Sequence, residues 1–68
     1  MNRNEKLIAT RKARNLKPKE IATGANISTR HYQYIEAGER EPGVETAISI
    51  ADILGAEVKT FLRQQSRL

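Results

Sequence analysis

A chain of 68 residues with no cysteine has to hold itself together by apolar packing alone. Neither a disulfide framework nor a thiolate zinc site, the usual staples of small folds, is open to it. Folding at this length buries only about 60% of the surface that the unfolded chain exposes. The core must be thin, and helices are the simplest way to build it. The length is that of one small domain, residues 1–68, and an enzyme is not expected, because a catalytic pocket needs several elements converging on a cleft.

Helix formers run from Asn4 to Arg14 around the apolar pair Leu7 and Ile8, and Asn15, a residue tolerant of the left-handed conformation, closes this first helix. Pro18 suits the first position of a second helix, where its missing N–H is no loss, and Glu20 suits the positive end of the helix dipole. Ile21, Ala22 and Ala25 form its inward side, and it stops at Gly24-Ala25-Asn26. Ser28 then reads as the N-cap of a third helix that runs to about Ala37 and ends at Gly38. A polar loop, Glu39-Arg40-Glu41-Pro42-Gly43, follows. Val44, Ala47, Ile48, Ala51 and Leu54 recur at steps of three and four, predicting one apolar stripe of a fourth helix ending at Gly55, with Ile50 and Ile53 widening it. A short fifth helix is predicted from Val58 to about Leu62, and the tail 63–68 gives no clear signal. No alternating run is long enough for a strand. The fold class is all-α.

Charge is uneven along the chain. Residues 1–30 hold eight Lys and Arg against two Asp and Glu, and residues 31–68 hold four against six. A polyanion-binding face and a lysine-rich solvated face both fit that asymmetry. The start of the chain lacks the apolar stretch of a signal peptide, and no run of about 18 apolar residues could span a bilayer. A cytoplasmic protein with no membrane contact is the expectation.

The second and third helices, joined by a three-residue turn, make the pattern of a helix-turn-helix. Along the third helix, Tyr32, Ile35 and Glu36 share one face, while Thr29, Arg30, Gln33 and Tyr34 share the other. The second face is polar without being acidic. Arg can bond bidentately to guanine and Gln to adenine, and Thr or Tyr can add hydrogen bonds or thymine-methyl contact. The spacing of Tyr32 from Ile35 favours a core position over base contact. Tyr34 either stacks on the nucleic acid or covers the surface near the loop.

Taken together, Arg11 to Leu16, Glu20-Ile21-Ala22, Ile27-Ser28, Tyr34 to Pro42 and Ile50 to Gly55 resemble the lambda-repressor-like, Cro-type helix-turn-helix family, also called the xenobiotic-response-element family. The resemblance extends from about residue 4 to residue 62. It implies a compact five-helix DNA-binding domain whose third helix enters the major groove. Matching positions imply base reading by Thr29, Arg30 and Tyr34 with Gln33 beside them, Ser28 as the cap, and Arg40 near the phosphate backbone. They also imply a structural salt bridge between Arg11 and Glu36, which otherwise read as two solvated charges. The sequence departs from the pattern at two places. Lys17 and Pro18 replace a hydroxyl cap and a backbone-contacting Gln, so that phosphate contact is lost or passes to Lys17 or Lys19. Thr10 stands where a larger apolar residue is usual, which implies looser packing of the first helix.

His31 is the only histidine and has no companion ligands, so an exposed position near the phosphate backbone is expected rather than a metal site. Glu39, Glu41 and Glu45 lack the spacing of a calcium loop and read as a solvated acidic edge. No catalytic constellation, metal or cofactor is expected. The expected partner is double-stranded DNA, bound by a homodimer whose interface involves Val58, Phe61 and Leu62. The competing expectation is an antitoxin-like or adaptor module that uses the same fold to bind a protein partner.

Overall fold

The computed structural model describes residues 3–56. Four helices follow one another there: α1 (Glu5–Ala13), α2 (Pro18–Gly24), α3 (Thr29–Ala37) and α4 (Val44–Leu54). Among the described residues there is no strand. The predicted fifth helix over Val58 to about Leu62 lies outside the described residues, as does the tail. No helix among the described residues is long and apolar enough to cross a membrane.

Local chemistry accounts for the helix boundaries. The Asn4 side chain accepts from the Leu7 N–H at 3.2 Å and starts α1, and Asn15 at φ 61 ends its last turn. At α2, Lys17 offers no side-chain acceptor, but Pro18 has no N–H that needs one. The Glu20 carboxylate instead accepts from the Lys17 N–H at 2.7 Å, the returning arm of a capping box. Residues 25–28 separate α2 from α3. That connection is one residue longer than the expected turn, because Ser28 stands outside the helix as its cap.

α2 packs on α3 and α4, and α1 packs on α3. Their common core is Leu7, Ile21, Ala22, Ala25, Tyr32, Ile35, Ile50, Ala51 and Leu54, with Leu16, Ile27, Ile53 and Ala56 against its rim. Gly24 marks a close passage between α2 and α4. A Cβ there would meet Ile53 Cδ1 at 2.6 Å, so the end of α2 lies almost directly on the α4 side chains.

The apolar stripe expected on α4 needs correcting. Ala47, Ile50, Ala51 and Leu54 are buried, whereas Val44 is 66% and Ile48 45% exposed. The contact with α2 selects the side of α4 that carries Ile50 and Ile53, and this rotates Val44 and Ile48 outward. In the loop expected to be polar, Pro42 is buried.

Arg14 ties the end of α1 to the end of α4. Its Nε donates to the Leu54 carbonyl at 2.6 Å, satisfying one of the acceptors that the last turn of α4 leaves open.

Candidate nucleic-acid interface

The position of α3 is set from its inner side. Tyr32 and Ile35 are buried, at 0% and 1% exposure, and Glu36 beside them is the hub of a polar network. Arg11 donates through Nε to Glu36 Oε2 at 2.5 Å and through Nη2 to Oε1 at 3.4 Å. A third nitrogen, Nη1, donates to the Leu16 carbonyl at 2.9 Å. The Tyr32 hydroxyl donates to Glu36 Oε2, the oxygen that Arg11 Nε also meets, at 2.6 Å. The Asn4 N–H completes the tie by donating to the Glu36 carbonyl at 2.9 Å. α3 is thereby held to both ends of α1.

Two titrations in this network shift. The hydrogen bond to Glu36 is the main cause that raises the Arg11 pKa. Burial, and then the hydrogen bond to the Glu36 carboxylate, raise the Tyr32 phenol well above the ordinary tyrosine range. A phenol whose folded pKa is raised contributes stability that is complete below its unfolded pKa, about 10, and is lost as pH climbs toward the folded value. Above about pH 10 the wild type should therefore lose stability that Tyr32→Phe does not lose, by up to about 1.4 kcal/mol per pH unit. Urea melts of both proteins across that range check this. Parallel curves would show that the phenol does not resist ionisation.

The outer side of α3 begins at its cap. The Ser28 hydroxyl accepts from the His31 N–H at 3.0 Å, which leaves its own proton free to donate outward. His31 is half-buried rather than exposed, because it lies one turn before Ile35 at the border of the buried stripe. Arg30, Gln33 and Tyr34 are exposed and Thr29 is half-buried. These four line one open groove of about 490 Å³, together with Ala37 and Glu39. Lys17, Lys19, Ser28, His31 and Arg40 do not line it. Lys17 and Lys19 lie at the start of α2, and Arg40 follows Glu39 directly; all three are exposed. Val58, Phe61 and Leu62 lie outside the described residues. Two residues go beyond the sequence reading: Arg14, which caps α4, and Glu39, which joins the groove.

A short helix, a tight connection and a second helix with a buried inner side and a polar outer groove define a helix-turn-helix domain, the module with which many regulators bind DNA. The family model for the Cro-type Helix-turn-helix matches residues 7–61. The chain belongs to that family and is a DNA-binding regulator. No curated protein and no solved structure matches it significantly.

Proposed function

We propose that this single-domain chain is a sequence-specific, cytoplasmic transcriptional repressor that binds an inverted-repeat operator as a homodimer. The observation that carries the reading is the groove: Thr29, Arg30, Gln33 and Tyr34 share it on the outer side of a helix anchored from within. Thr29, Arg30, Gln33 and Tyr34 contact base edges, Arg30 in the fork geometry that suits guanine. Lys17, Lys19, Ser28, His31 and Arg40 contact the sugar–phosphate backbone and set the register. One domain covers half a site, so two copies related by a twofold axis would meet half-sites about 34 Å apart. Val58, Phe61 and Leu62 are the proposed dimer contacts.

Selection of bound sequences from a random DNA pool tests this reading, with an inverted repeat as the expected result. Arg30→Ala should relax the preference at one base position in each half-site and cost about 1–3 kcal/mol there. Lys19→Ala should weaken binding to all sequences alike. If both variants bound the selected sites as the wild type does, the assignment of α3 as the reading helix would be wrong.

One observation favours the second reading, an antitoxin-like or adaptor module: Lys17 and Pro18 replace the cap and Gln that carry a backbone contact in the family pattern. Under that reading the affinity measured would be for a protein and would respond little to salt.

A further inference from the structure

One charged side chain of the groove has no part in the contacts just assigned. Glu39 lines the groove with Thr29, Arg30, Gln33, Tyr34 and Ala37, although its neighbours in sequence suggest a solvated acidic edge. The chain's reversal at Gly38 accounts for this. Gly38 takes the left-handed φ of 81°, and the N–H groups of Glu39 and Arg40 both donate to the Tyr34 carbonyl, at 3.0 and 3.3 Å. The Glu39 backbone is thus fixed against the last turn of α3. Its carboxylate is exposed and takes part in neither the Arg3–Glu5 nor the Arg11–Glu36 ion pair.

A carboxylate held among base readers is repelled by phosphates and offers only acceptors. In the major groove it finds hydrogens on the exocyclic amino groups of cytosine and adenine. Adenine sets its N7 acceptor beside that amino group, facing the second carboxylate oxygen, whereas cytosine sets a C–H there. The Tyr34 ring and the Ala37 methyl, on the same groove, provide apolar surface for that C–H. Resting on the DNA reading of the groove above, we propose that Glu39 is a specificity-determining residue that accepts a hydrogen bond from the N4 amino group of a cytosine in each half-site.

The test compares sequences selected from a random duplex pool by the full chain, by Glu39→Ala and by Glu39→Gln. Affinities are then measured for the preferred site with the implicated cytosine intact or N4-methylated. The wild type should enrich one cytosine that Glu39→Ala no longer distinguishes, and Glu39→Gln should move that position toward adenine. N4-methylation should weaken the wild type about tenfold and leave Glu39→Ala unchanged. If Glu39→Ala selected the same sequences and merely bound all of them more tightly, Glu39 would only repel DNA and the proposal would fall, with the groove's reading intact. If the wild type selected no sequence at all, the DNA reading itself would fail and this inference with it.

Discussion

Glu36→Ala is expected to remove about 3–5 kcal/mol of the protein's stability. The carboxylate it removes takes two bonds from the Arg11 guanidinium and one from the Tyr32 hydroxyl. Both side chains of the ion pair are only 13% exposed, so water replaces only part of what is lost. Arg11 would keep its charge in a shielded place, and the Tyr32 hydroxyl, on a side chain with 0% exposure, would lose its acceptor. Removing one partner of a buried pair typically costs about 3–5 kcal/mol. A chain of this length has a total stability of roughly 3–10 kcal/mol at about 0.05–0.15 kcal/mol per residue, so the change consumes from about a third to all of it. Far-ultraviolet circular dichroism with urea melts measures the outcome. The double variant Arg11→Met with Glu36→Leu should recover the part of the loss that comes from the stranded charge, while the part that comes from the Tyr32 hydroxyl, still without its acceptor, should remain. A Glu36→Ala melt within about 1 kcal/mol of wild type would mean that the pair behaves as a surface bridge and does not anchor α3.

What could be read from the sequence was whatever short-range chemistry decides. The cap at Ser28, the left-handed turns at Asn15 and Gly38, and the inward side of α2 each depend on residues within a turn of one another. The outer side of α3 was legible for the same reason, since one helical period places Thr29, Arg30, Gln33 and Tyr34 together. Arg11 and Glu36 are different: 25 positions separate them, and only the likeness to a known family brought them together. Nothing suggested that Arg14 would reach Leu54, 40 positions away. On α4 the period gave the spacing of apolar residues, yet two overlapping stripes were available. The one containing Ile50 lies inside, because α2 reaches α4 at Gly24 and Ile53. Periodicity measures a helix against itself, whereas burial depends on what crosses it. Glu39 eluded the sequence for a related reason: charge grouping by adjacency ignores the direction in which a left-handed glycine sends the chain.

The second large effect should appear in salt. Lys17, Lys19 and Arg40 are exposed cations assigned to phosphates, so a homodimer would neutralise about six phosphates and release their counterions. The slope of log affinity against log salt is then about −5, a loss of about a thousandfold between roughly 50 and 200 mM. A single domain on half a site would give about −2.7, a loss of only about fortyfold over the same range. Fluorescence anisotropy with a labelled duplex carrying the selected site separates these cases. Lys19→Ala should reduce the slope by about one for each bound protomer, whereas Arg30→Ala should lower affinity for the selected site more than for unrelated duplexes. Those two responses distinguish positioning from reading within one surface, because counterion release depends on phosphate contacts while preference depends on base edges. A slope near zero for tight binding would mean that few phosphates are engaged. The groove on α3 would then belong to a protein partner, for which the Lys17-Pro18 start of α2 imposes no loss.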